Sequence, residues 1–238
     1  MHKLLICTSS FEKSSHGPSK FIKFIYNSLI NNKDIDFRIL TPDTKNNDIK
    51  KNIIKIDFQL PKYLGVFWHV YESKAYYKKI LEIRDEFNPD TILYLNAILG
   101  QFSLKKLQDI RHVGMINDDE YASIKFKNFE WEKLWFVRFK GRLFESRLSR
   151  EHDLIIANSK YLNHELVHEY KLRNVKLLYK SIDINEYKFR ERNFINTNQP
   201  IKILFIKNEF IRGGIDILIS ALGKLNSFAF ELLVVGPN

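Results

Sequence analysis

The chain has little of what would cross-link, anchor or mark a specialised site. One cysteine, Cys7, stands among 238 residues, so no internal disulfide can form. That excludes a disulfide-framed secreted scaffold and fits a reducing compartment, with the cytoplasm as the expected location. Cys7 lies in the apolar run LLIC, where a free thiol packs as a small hydrophobe. No apolar stretch approaches the roughly 20 residues that span a bilayer, so membrane contact is expected to be peripheral. The opening MHKLLICTSS lacks a small-residue cleavage site after its apolar segment and reads as a first strand. The Asn117–Glu120 cluster has no metal-ligand spacing and there is no EF-hand loop; His164 and His168, four apart within HELVH, read as exposed helix histidines without a further ligand, and no internal repeat is evident. No metal site is expected.

What is present is a basic chain with ample core material. A net charge of +10 implies acidic partners without choosing between nucleic acid, anionic lipid and a phosphorylated small molecule. The 45% apolar and 14% aromatic content excludes disorder. The aromatics fall at core periodicities and no nucleic-acid module appears, so a nucleic-acid partner is not expected.

Apolar periodicity alternates between strand and helix along most of the chain. Strands are expected at residues 4–7, 37–40, 53–56, 91–95, 113–116, 154–157 and 175–179. Phe21, Ile22, Ile25 and Leu29 recur at helical spacing, residues 71–87 do the same until Asn88-Pro89, and Asn158-Ser159 caps a helix carrying Leu162, Leu166 and Tyr170. Residues 130–150, rich in aromatic and basic side chains, read as one or two amphipathic helices. These form either a packed element with a solvated basic face or a surface for anionic lipid. The polar stretch 193–200 breaks the pattern, which restarts with the strand ILFI, a basic loop, a helix and the strand ELLVV. The expected class is α/β, a Rossmann-like doubly wound parallel sheet over residues 1–195, with the opening of a second such domain at 196–238.

Ligands of open parallel sheets bind beyond the carboxyl ends of the strands, so three loops are candidates. After the first strand, Ser14, Ser15, His16, Gly17 and Ser19 precede a helix; the loop reads as an anion site or a plain turn, without dinucleotide or P-loop spacing. Asn117-Asp118-Asp119-Glu120 places carboxylates at a strand end, where they orient hydroxyls, act as bases or form a solvated loop. Lys207, Arg212, Gly213 and Gly214 supply cations and close-approaching amides of the kind that hold a diphosphate; the alternative is a simple strand-to-helix turn.

The segment DLIIANSKYLNHELVHEYKLRNVKLLYKSIDINEYKF, followed by IKILFIKNEFIRGGIDILISALGKL and ELLVVGPN, resembles the retaining GT-B glycosyltransferases of the family four group. The resemblance implies sugar transfer from a nucleotide-sugar donor to a polysaccharide, lipopolysaccharide or lipid-linked acceptor, with no bound cofactor or metal. It implies donor-phosphate contacts from Lys207, Arg212, Gly213 and Gly214, a first-loop contact from His16 and Gly17, and a catalytic hydroxyl-orienting role for Asp118. Departures are also clear. Lys180-Ser181 stands for the usual Asn-Gly, Lys207-Asn208 for Gly-Arg, Arg212-Gly213-Gly214 for Arg-Lys-Gly, and Asn117-Asp118 for His-Asp. The family's Glu-x7-Glu segment is absent from the sequence. The chain is therefore expected to be truncated in its donor domain, or completed by a separate C-terminal half. The alternative expectation is an inactive homologue serving only as an acceptor or partner-binding module.

Overall fold

A computed structural model describes residues 1–12, 17–44, 52–57, 68–117, 151–168, 170–181, 200–207, 210–225 and 229–236. The chain divides into two compact units, Met1–Asp183 and Ile184–Asn238. The expected boundary at 195 and the segment 130–150 lie outside the described residues.

The first unit is built on a seven-stranded sheet in the order β3-β2-β1-β4-β5-β6-β7. Its strands are β1 (His2–Cys7), β2 (Ile35–Thr41), β3 (Ile53–Lys55), β4 (Thr91–Tyr94), β5 (Arg111–Ile116), β6 (Leu154–Ala157) and β7 (Val175–Leu177). Every neighbouring pair is parallel. The chain starts in the middle, steps outward to β3, then returns to the other flank through β4, so the strand order reverses between β1 and β4.

Side-chain alternation divides the core into two layers. Leu5 and Cys7 of β1, Leu40 of β2 and Ile92 and Tyr94 of β4 pack with Tyr76, Ile80 and Ile83 of α2 (Trp68–Arg84). Ile6, Phe37 and Ile39 point the other way, onto Ile22 and Tyr26 of α1 (Gly17–Leu29). A third cluster joins Ile155 and Ala157 to Leu162 and Leu166 of α3 (Lys160–His168). Ser159 caps α3 as expected, its Oγ accepting from the Leu162 amide at 3.1 Å. This is the doubly wound α/β design read from the sequence.

One element of the first unit has no counterpart in the sequence reading. The apolar run after β4 turns into a 3-10 helix, Ala97–Gly100, because the Asn96 side chain accepts from the Ile98 amide and caps it. All four of its residues are buried. Near it Tyr94 stacks on His112. The His112 Nε2 faces the Leu107 carbonyl at 2.8 Å and must donate, which leaves Nδ1 to accept from the Tyr94 hydroxyl at 3.2 Å. Gly114 is required beside this pair: a Cβ there would meet the His152 ring at 2.8 Å and the Ala97 Cβ at 2.9 Å.

The second unit pairs β8 (Ile201–Ile206) with β9 (Phe230–Val235), parallel and in register from Ile201↔Phe230 to Ile206↔Val235. Between them lie α4 (Phe210–Gly213) and α5 (Ile215–Leu222). The sequence reading placed one helix here. Gly214, at φ 79°, divides it in two. Ile215, Leu218 and Leu222 are partly buried, but Ile219, expected on the same face, is 55% exposed. A two-stranded sheet has too little surface to cover this helix.

Candidate functional site

The reversal of strand order between β1 and β4 fixes where a ligand would sit, in the crevice beyond their carboxyl ends. Its first wall is the loop after β1. Asp43, following β2, accepts from the amides of Phe11 at 2.9 Å and Glu12 at 3.1 Å, and Thr44 donates to the Glu12 carboxylate at 3.0 Å. Thr8 and Ser10 close a small turn, the Thr8 hydroxyl donating to the Ser10 carbonyl at 3.0 Å, and the Ser10 and Ser19 hydroxyls bond to tie that turn to α1. The loop is thus held at both ends. Gly17 opens α1, and a Cβ there would meet nothing within 4 Å among the described residues, so their packing does not demand glycine at this position. His16 lies outside the described residues.

The opposite wall is a run of asparagines along the strand ends. Asn117 donates to the Leu95 carbonyl and Asn158 donates to the Asn117 carbonyl, each at 2.8 Å, fastening the ends of β4, β5 and β6 together. With its amide nitrogen so engaged, the buried Asn117 Oδ1 has no hydrogen-bond partner among the described residues. Asp118 lies just beyond, outside them.

The helix α2 brings to this end a group that the sequence reading passed over. Tyr76 donates to the Thr8 carbonyl at 2.7 Å. One turn earlier on the same face is Glu72, 3% exposed. Burial pushes its carboxyl up to about 7 and pushes the neighbouring His69 down to about 4. Their 4.0 Å approach would admit an ion pair. Burial opposes one, because it favours the neutral form of each, so between about 4 and 7 a protonated carboxyl faces a neutral imidazole. The available signal was spacing: Glu72, Tyr76, Ile80, Ile83 and Phe87 fall on one helical stripe.

In the second unit the structure brings Lys207 against Gly213, the first of the paired glycines. The Lys207 amide donates to the Val235 carbonyl at 3.0 Å, setting the residue at the carboxyl end of β8. Its stem lies so close to Gly213 that a Cβ there would sit 2.6 Å from Lys207 Cγ and 2.9 Å from Phe205 Cζ. Gly214, next in the chain, takes the left-handed conformation that lets α5 begin. The Arg212 backbone belongs to α4, while its side chain lies outside the described residues. A cation above a glycine turn with near backbone amides can meet a phosphate through charge-assisted hydrogen bonds.

No protein-family model and no curated protein matches the chain. Solved structures do. Sucrose-phosphate synthase from Thermosynechococcus elongatus matches all of the chain with a TM-score of 0.68 at 13% identity. The lipopolysaccharide outer core galactosyltransferase WaaB, in its apo form, also matches all of it, with 0.65 at 10%. HepE of Anabaena in complex with UDP-glucose matches 99% with 0.57 at 14%. At identities this low the structural likeness shows a shared fold and nothing beyond it. The chain spans 63%, 62% and 60% of those proteins, less than two thirds of each.

Proposed function

We propose that the chain is the acceptor-side domain and the opening of the donor-side domain of a GT-B glycosyltransferase, which transfers a sugar from a nucleotide-sugar with retention of configuration. The acceptor in this reading is a polysaccharide, a lipopolysaccharide or a lipid-linked glycan. The observation that carries it is the packing of Lys207 on Gly213 at the carboxyl end of β8, in a fold whose solved neighbours include a galactosyltransferase and a UDP-glucose complex.

The chemistry follows from charge. Departure of a nucleoside diphosphate from a sugar builds negative charge on the leaving oxygen. Lys207, Arg212 and the amides around Gly213 and Gly214 would meet that charge, and such prearranged donors lower the barrier where charge develops. Asp118 would orient an acceptor or donor hydroxyl, and the loop from Thr8 to Gly17 would approach the sugar. The exposed apolar residues Leu204, Ile206 and Leu233, at 57%, 65% and 60%, form the face on which the rest of a donor domain, in the same polypeptide or a separate half, would pack.

Calorimetric titration with UDP, GDP and their sugar conjugates tests the reading. Saturable binding by one nucleotide, weakened tenfold or more in the Lys207→Ala/Arg212→Ala double variant, is the expected result. Absence of binding by every nucleotide would instead favour a module that binds only acceptor or partner.

A further inference from the structure

A groove of about 510 Å³ lies away from the switch-point crevice, between the residues at the end of the edge strand β3 and the outward side of α2. Its volume falls in the range of roughly 300–1,000 Å³ typical of small-molecule sites. Four lysines and two carboxylates line it. Lys55 pairs with Asp57 at 3.0 Å and Lys79 with Glu82 at 2.8 Å. Lys74 and Lys78 are left, both exposed and neither with a carboxylate partner among the described residues. They stand four apart on one helix, where like charges repel, and both border the same recess. The uncompensated charge of the groove is therefore positive and held at the spacing of successive helical turns.

Tyr71 also lines the groove, with Ile56 and Ala75. It lies three residues before Lys74 and seven before Lys78, on the same stripe, and is 48% exposed. A half-open aromatic ring beside a pair of unneutralised cations offers an apolar face and an anion clamp side by side. A sugar ring bearing a carboxylate or phosphate has the complementary surfaces: C–H groups for the tyrosine face, an anion for the lysines and hydroxyls for the flanking Asp57 and Glu82. A recess of this size suits a short saccharide better than a planar bilayer surface, which cannot enter it.

We propose that this groove binds an anionic saccharide, carboxylated or phosphorylated, as part of the acceptor, an inference that rests on the glycosyl-transfer reading above. The test titrates the full 238-residue chain with trigalacturonate and trehalose 6-phosphate, with maltotriose and inorganic phosphate as the uncharged and sugar-free controls. The variants are Lys74→Ala/Lys78→Ala, Tyr71→Ala and Tyr71→Phe. Saturable binding of at least one anionic saccharide is expected, with Kd raised tenfold or more by the lysine pair and several-fold by Tyr71→Ala, and retained by Tyr71→Phe. Both sites of substitution are exposed, so thermal melts should match the parent chain.

The inference is overturned if neither anionic saccharide binds, if binding ignores the substitutions, or if maltotriose or phosphate binds as well as the charged sugars. It is equally overturned if vesicles with 30% phosphatidylglycerol, and not the saccharides, are the ligand that depends on Lys74 and Lys78. UDP titrated into the same preparations separates the two readings. A groove that fails while UDP binds removes only this inference, whereas a groove that binds in a chain blind to every nucleotide removes the donor reading.

Discussion

Replacing Glu72 with glutamine should stabilise the first unit at alkaline pH, an unusual outcome for removing one member of a close histidine–carboxylate contact. Burial moves the Glu72 carboxyl from its ordinary 4.5 to about 7. At 1.36 kcal/mol per pKa unit, ionising it in the folded state costs about 3 kcal/mol. A raised carboxyl binds its proton more tightly folded than unfolded. Its contribution is therefore fully present below pH 4.5 and is lost as pH rises through about 7. His69 acts in the opposite sense. With its imidazole pushed from 6.5 to about 4, it lowers stability as pH falls through that window. The parent profile should consequently be shallow, while the variants separate the two slopes. Glu72→Gln should match the parent near pH 4 and exceed it by as much as about 3 kcal/mol at pH 8. Because the chain has two compact units, a single unfolding curve is unsafe, and hydrogen exchange of the α2 amides is the suitable assay. Weaker protection of α2 in Glu72→Gln at pH 8 would mean that a charged pair stabilises the helix, and the reasoning from burial would fail.

Three further outcomes follow from packing. Tyr76→Phe leaves the Thr8 carbonyl without its 2.7 Å donor and should cost about 1–3 kcal/mol, read as lower protection of β1 amides. Gly114→Ala, which presses on His152 and Ala97, should destabilise by about 1–3 kcal/mol; Gly17→Ala, with nothing within 4 Å among the described residues, should stay within about 0.5 kcal/mol. Hydrogen exchange of the β5 and α1 amides provides the comparison. Gly214→Ala forces an alanine into φ 79° and should cost about 1–2 kcal/mol, seen as faster exchange of the α5 amides relative to the parent.

Much of the first unit was legible because its residues serve one purpose each. Strand residues such as Leu5, Ile6 and Cys7 are apolar on both faces, as a sheet covered by helices on both sides requires, and β6 runs from Leu154 to Ala157 as the sequence indicated. The buried glutamate was less legible. A charge at position 72 reads as solvated until the apolar stripe it shares with Tyr76 and Ile80 is given weight. Asp43 was hidden for another reason: its amide partners are about thirty residues away in sequence, and no local pattern encodes such a pairing. The 3-10 helix was lost in an apolar run that continues past β4, where a single cap, Asn96, decides the conformation. In the second unit the apolar pattern was legible as strand, helical segment and strand. Leu204, Ile206 and Ile217 have the composition of a core and remain exposed, with two strands and two short helices to share the work among the described residues.

The proposed diphosphate site at the end of β8 is tested most directly by amide chemical-shift mapping of the labelled chain with UDP-glucose. The account predicts saturable shifts concentrated at Lys207, Gly213 and Gly214, and loss of those shifts in Lys207→Ala/Arg212→Ala. Saturating UDP-glucose that leaves these three amides unmoved would contradict it.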